Sequence, residues 1–212
     1  MILELLNKYK IENCIDSGTL LGLIREGKLL DHDLDIDIAV HQKDVNKLTV
    51  LREDLLSKGY KCRILSYHGK FYKYKFWHSN EKRVIDINIF RILKDQDFYI
   101  CPQPFPIIKK EGIVFTYFRK FIRVVFGYIK NRGPEFDLNK FPWNIATYHR
   151  AWLIPKKYFE SFSCKDSIVF YPKFSKEYLR FRYGKWEVPN KNWNFRTEDK
   201  GLTKNTPDDY NW

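Results

Sequence analysis

The sequence predicts an α+β fold: a mixed β-sheet flanked by helices, completed by a small C-terminal subdomain. Three stretches predict it. Residues 33–38 alternate Asp33, Asp35 and Asp37 with Leu34, Ile36 and Ile38, the period of a strand whose successive side chains face opposite ways. Residues 43–58 place Val45, Leu48, Leu51 and Leu55 at helical spacing and stop at Gly59. Three strand-like runs then follow at 60–67, 71–77 and 83–90, parted by His68-Gly69-Lys70 and Ser79-Asn80-Glu81-Lys82 turns.

Around these the remaining elements fall in order. Residues 2–10 read as a short helix with Ile2, Leu5, Leu6 and Tyr9 on one face, and 11–16 as a brief strand. That strand leads into a Ser17-Gly18-Thr19 turn, with a helix over 20–26. Backbone N–H groups at such a helix start are suited to phosphate. Residues 101–112 hold several prolines and read as a loop. Over 115–130 a helix gathers Arg119, Lys120, Arg123 and Lys130 in one arc, with Phe115, Phe118, Phe121 and aliphatic residues around the rest. Such a helix serves either as a core element with a solvated basic face or as a contact to an anionic membrane surface. Residues 131–141 read as a polar linker, which divides the chain into a core of residues 1–132 and a C-terminal subdomain of 133–212. The subdomain starts with strands at 151–155 and 167–172, continues with a helix over 175–183, and ends in a polar, loose tail over 197–212 in which Trp212 packs.

The chemistry concentrates in the acidic run. Three carboxylates on one strand face repel one another unless a cation sits among them. Hard oxygen donors at that density suit magnesium or manganese, and magnesium completes its shell with substrate phosphates. The run 84–90, VIDINIF, buries Ile85, Ile87 and Ile89 and points Asp86 the other way. A lone acid in an otherwise apolar strand is held there by a metal, a partner charge or a catalytic duty. Phe71, Lys73 and Lys75 alternate with Tyr72, Tyr74 and Phe76, so a lysine row faces either the same cleft, where it would hold phosphates, or solvent.

Composition bounds the rest. The 212 residues are 44% hydrophobic and 17% aromatic, a folded rather than a disordered composition. Net charge is +12, unevenly spread: residues 1–60 hold eight Lys/Arg against eleven Asp/Glu, the remainder thirty against fifteen. An acidic half beside a basic half fits a bound cation and anionic substrates. No recognisable nucleic-acid motif accompanies the basic charge. Cys14, Cys62, Cys101 and Cys164 are scattered and read as free thiols. No stretch is apolar enough to span a bilayer and MILELLNKYK lacks a signal-peptide pattern, so the expected location is cytoplasmic, with peripheral contact at the inner face of the membrane through 115–130.

These residues resemble the LicD/fukutin family of the nucleotidyltransferase-fold superfamily. GTLLGLIREGKLLDHDLDIDI (18–38) looks like its glycine-threonine helix and repeated-aspartate strand, and VIDINIF (84–90) like the strand of the third aspartate. FPWNIATYHRAWLIP together with YPKFSKEYLRFRYGKWEVPNKNW (171–193) looks like its C-terminal end, closest to the fukutin-like branch. His32 and Leu34 interrupt the acidic run found in many members, which leaves the role of Asp33 open. The resemblance implies a transferase that moves ribitol phosphate, glycerol phosphate or phosphocholine from a CDP-activated alcohol to a sugar hydroxyl of a glycan or lipid-linked glycan. It implies Asp35, Asp37 and Asp86 as catalytic residues and ligands of Mg2+ or Mn2+, and Gly18, Thr19, Arg25, Asp33 and Arg182 as donor-binding residues. Two other readings stand beside it: a small nucleotidyltransferase that attaches a whole nucleotide and releases pyrophosphate, and a non-catalytic basic protein of membrane surfaces. The last predicts that Asp35→Ala leaves function intact.

Overall fold

The computed structural model describes residues 1–93, 97–106, 135–137, 147–159, 162–164 and 169–212. The helix expected over 115–130 lies outside them. The chain opens with helix α1 (Ile2–Lys8), strand β1 (Asn13–Ile15), helix α2 (Ser17–Arg25), strand β2 (Asp35–His41) and helix α3 (Val45–Ser57). Strands β3 (Lys61–Tyr67), β4 (Lys70–Trp77) and β5 (Val84–Ile92) match the three runs read from the sequence to within two residues. Then come β6 (Phe98–Pro106), β7 (Glu135–Asp137), β8 (Thr147–Pro155), β9 (Phe162–Cys164) and β10 (Phe170–Pro172). Helices α4 (Ser175–Tyr183) and α5 (Phe195–Glu198) and a 3-10 turn at Pro207–Tyr210 complete it.

The main sheet is ordered β1-β2-β5-β4-β3-β7, and β6 continues from β5 to pair with β8. The β2–β5 and β3–β7 pairs are parallel and the others antiparallel. This is the mixed α+β sheet that the sequence predicts. Its two faces carry separate cores. Ile38, Val40, Ile85, Ile87 and Ile89 pack with Leu5 and Leu6 of α1 and Leu48, Leu51 and Leu55 of α3. On the other face Ala39 and Phe90 join Leu20 and Leu21 of α2, Trp152 of β8 and Tyr178 and Leu179 of α4. Period-two alternation in β2 and β5 therefore sorts Ile to the first core and Asp to the second face.

The structure corrects the sequence reading in several places. Asp33 and Leu34 precede β2, and Leu34 is 60% exposed instead of buried, because the α1/α3 core begins only at Ile36. The proline-rich run is a strand, β6. On its partner β8 the N–H groups of Ala151 and Leu153 point away, to Asn205 O and Gly201 O, so the even-numbered residues of β8 face β6. Their partners on β6 are Cys101, Gln103 and Phe105. Pro102, Pro104 and Pro106 thus turn their missing N–H groups away from β8. Part of the expected linker, Glu135–Asp137, is strand β7, pairing with β3.

The C-terminal tail is fixed rather than loose. Residues 201–205 bond to the outer edge of β8, which a bare strand edge would leave unpaired. Thr206 and Asp209 form a capping box, the Tyr67 hydroxyl donates to Asp208 Oδ2 at 2.7 Å, and Trp212 Nε1 donates to Tyr67 O at 3.1 Å. Cys14 and Cys101 are buried free thiols, and Cys62 is a partly buried one.

Gly22 is where α2 meets the loop that leads to β2. A Cβ there would stand 2.7 Å from Lys28 O and 2.9 Å from Leu30 N, both backbone atoms. Alanine would gain about 1 kcal/mol of helix propensity, but shifting packed backbone costs about 1–3 kcal/mol. Gly22→Ala is expected to lower the urea midpoint with an unchanged m-value; an unchanged or raised midpoint would show that the loop yields freely.

Candidate active site

The first turn of α2 is built on Asp16. This residue is fully buried, and its Oδ1 accepts from Ser17 N–H at 2.6 Å as the cap of the helix. The helix therefore begins at Ser17, three residues earlier than the sequence suggests. Ser17 itself takes a left-handed backbone with φ of +51°, unusual for a residue with a side chain. The turn is stapled to β2 twice: Asp16 N–H donates to Asp37 O at 3.0 Å, and Asp37 N–H to Thr19 Oγ1 at 2.9 Å. Thr19 is thus buried beneath the cleft with its hydroxyl on the backbone of Asp37, while Gly18 lines the cleft. A Cβ on Gly18 would meet Asp33 Oδ2 at 2.2 Å, so only glycine lets that carboxylate lie against the helix start.

Parallel pairing of β2 with β5 sets Asp37 directly beside Asp86, and Asp35 shares their face one alternation away. Each of the three offers an oxygen, and these oxygens lie within 4.8 Å of one another. Asp37 Oδ1 accepts from Asn88 Nδ2 at 3.3 Å. Burial pushes the Asp37 carboxyl up to about 8; the Lys73 ammonium opposes this, and the charges of Asp35, Asp86 and Asp16 add to it. Asp33 is pushed up to about 6, by burial first and then by Asp35. Protein alone leaves this cluster poorly compensated.

Two buried oxygens that face it, Asp86 Oδ1 and Asn88 Oδ1, accept no hydrogen bond. The Lys75 ammonium stands 3.1 Å from Asp86 Oδ1 as an ion pair without hydrogen-bond geometry. All-oxygen donors, mutual repulsion and unfilled acceptors fit a hard divalent cation such as magnesium or manganese. Of the row read from the sequence, Lys73 faces the cleft, where its Nζ donates to Asp86 Oδ2 at 3.0 Å.

The acids form the floor of a cleft of about 960 Å³. Its walls include Arg25 and Arg182, together with the aromatic residues Trp152, Tyr183, Trp186 and Trp193. Arg25 bonds Glu26 Oε1 at 2.8 Å and Trp186 O at 3.3 Å, which ties α2 to the segment after α4. Arg182 lies at the centre of a buried network. Its Nη1 reaches Asp16 Oδ1 at 3.3 Å and Ser17 Oγ at 3.0 Å, its Nε reaches Asp199 Oδ2 at 3.1 Å, and its guanidinium stacks 4.0 Å from the Trp152 ring centroid. The Tyr178 hydroxyl donates to Asp16 Oδ1 at 2.6 Å. Burial raises the Asp16 carboxyl, and Arg182 and Tyr178 pull it back.

The sequence reading missed Asp16, Tyr178 and Asp199. The i,i+4 spacing of Tyr178 and Arg182 on α4 was the available signal, but nothing local ties them to residues more than 160 positions away.

Removing Arg182 would leave two buried carboxylates without their cation. Arg182→Met is expected to cost about 3–5 kcal/mol of folding stability, read from urea denaturation, and a loss under about 1 kcal/mol would show the network to be dispensable. Asp37 gives a pH signature in protein stripped of divalent ions. Its folded pKa of about 8 lies above its ordinary 3.8, so the stability held by its proton is complete below about 4 and is lost as pH rises through about 8. The stability of Asp37→Asn relative to wild type should therefore grow between pH 5 and pH 8. Parallel profiles would rule this out.

Residues 10–106, a little under half of the chain, match the family model described as LicD/FKTN/FKRP, nucleotidyltransferase domain. That description covers the three names together and does not separate branches. Among curated proteins, an uncharacterized protein of Rickettsia typhi is 31% identical over 103 residues, which are 49% of this chain and 30% of that protein. The chain thus spans under a third of the length of that relative. Among solved structures, ANT(2'')-Ia in complex with adenylyl-2''-tobramycin aligns over 46% of this chain and 49% of its own, at 17% identity and a TM-score of 0.32. Among the described residues no helix is long and apolar enough to cross a membrane. The segment that matches this family model contains Asp35, Asp37 and Asp86.

Proposed function

We propose that the protein is a metal-dependent transferase that moves a phospho-alcohol group (ribitol phosphate, glycerol phosphate or phosphocholine) from a CDP-activated donor to a sugar hydroxyl of a cell-surface glycan or glycolipid. The sugar oxygen bonds to the alcohol phosphate, the bond to the CMP phosphate breaks, and CMP leaves. The observation that carries this reading is the convergence of Asp35, Asp37 and Asp86 within 4.8 Å on the floor of a cleft, inside the segment that matches the family.

In this reading Asp35 and Asp37 would hold magnesium or manganese, and Asp86 would share the ion or take the proton of the acceptor hydroxyl. A divalent cation there supplies neutralisation of charge on the transferring phosphate. The chain's own part is positioning, which accounts for most of phosphoryl-transfer catalysis. Gly18 and Asp33 shape the donor side of the cleft, and Thr19 holds the Asp37 backbone in register. Arg25 and Arg182 carry positive charge on the cleft wall and keep the α2 turn in place for the donor phosphates. Residues 133–212 complete the domain by supplying α4 and the aromatic wall.

Thermal unfolding against CDP-ribitol, CDP-glycerol, CDP-choline and plain nucleotides, with and without magnesium, tests the reading. One CDP-alcohol should raise the melting temperature only with magnesium, and Asp35→Ala should abolish the rise. Stabilisation by a nucleoside triphosphate alone would replace this reading with nucleotidyl transfer, and no response to any nucleotide would refute both.

A further inference from the structure

The lysine row of β4 is more than a counter-charge for Asp86. Lys73 and Lys75 alternate with Tyr74 and Phe76, which are buried in the core under α1 and α3, and so project onto the face that carries the acids. Antiparallel pairing sets Lys75 opposite Asp86 and Lys73 opposite Asn88. Asp86 is gripped from both sides, by Lys73 on Oδ2 at 3.0 Å and by Lys75 on Oδ1 at 3.1 Å. The two lysines are not equivalent, however. Lys73 lines the cleft together with Asp35, Asp37 and Asp86, whereas Lys75 does not.

Charge balance gives that difference a consequence. The three acids carry three negative charges, and a divalent cation among them cancels two. Lys75, still beside Asp86, cancels the third. The charge of Lys73 is then uncommitted, at the floor of a cleft where a phosphate would arrive. Without Lys73 the loaded triad is neutral, and net negative once the neighbouring Asp33 carboxylate is counted, so it offers an anion little; Lys73 shifts the balance by one positive charge towards the anion.

We propose that Lys73 is a polyphosphate-binding residue of the metal-loaded site: it holds Asp86 while the site lacks a cation, and turns to the phosphate oxygens of the substrate once the cation takes Asp86. Lys75 keeps Asp86 compensated throughout. This rests on the metal-dependent transferase reading but names no particular donor.

The two duties of Lys73 have opposite signs in a binding experiment. Calorimetric titration of Mn2+ alone, and of inorganic pyrophosphate at saturating Mn2+, separates them. Lys73→Met removes a competitor for Asp86, so Mn2+ should bind more tightly, while pyrophosphate should bind at least about tenfold more weakly. Lys73→Arg should restore much of the pyrophosphate affinity, and Lys75→Met should weaken pyrophosphate much less than Lys73→Met. If Lys73→Met weakens Mn2+ and pyrophosphate together and lowers the melting temperature, the lysine merely braces Asp86 and the proposal falls. Unchanged pyrophosphate affinity also overturns it. Pyrophosphate carries neither cytidine nor alcohol, so the predicted pattern with no response to any CDP-alcohol would sink the donor assignment and leave Lys73 in its role.

Discussion

The parallel pairing of β2 with β5 is the constraint on which the site depends. It sets two carboxylates, Asp37 and Asp86, side by side at one register position and leaves the aliphatic residues of both strands on the opposite face. A one-residue slip would exchange the faces, burying acids beneath α1 and α3 and exposing isoleucines. The apolar core under those helices therefore fixes the position of the acids, although it touches none of them. Hydrophobic burial supplies the register, and the register concentrates the charge.

Concentrated charge must be offset, and the chain does this in two separate ways. Beneath the helix start, Arg182 joins Asp16 to Asp199 in a buried, fork-like set of bonds. That network locks the C-terminal helix and tail onto the first turn of α2, so the cleft wall and the cleft floor share one support. On the sheet, Lys73 and Lys75 pair with Asp86 and Lys73 also attracts Asp37, while Asp35, Asp37 and Asp86 go on repelling one another. The Asp37 carboxyl is raised first by its burial and only then by the neighbouring acids. All-oxygen donors that repel one another suit a hard divalent cation.

Local pattern made much of this legible. Period-two alternation located β2 to β5, and helical spacing located α3 and α4, because each of these elements covers one apolar face and shows the other to water or to the cleft. The acid triad followed from the same alternation. The readings that failed depended on neighbours remote in sequence. Prolines suggested a loop where β6 runs, since only the position of β8 shows which side of the strand needs its N–H groups. The polar tail looked unstructured because its order comes from the edge of β8 and from Arg182, Tyr67 and Arg91, whose guanidinium stacks on Trp212.

By itself the sequence located the candidate residues: the aspartates of 33–37, Asp86, and the lysines alternating on β4. Residue type and local period decide what a strand can offer and on which face. Only the tertiary structure decided which of these meet. It excluded Asp33 from the strand and the triad, gave Thr19 to the backbone of Asp37, and joined Asp16 to Arg182 across most of the chain. Those pairings are set by packing between distant elements, where burial makes a missing partner costly, and local pattern carries no record of what the opposing element will bring.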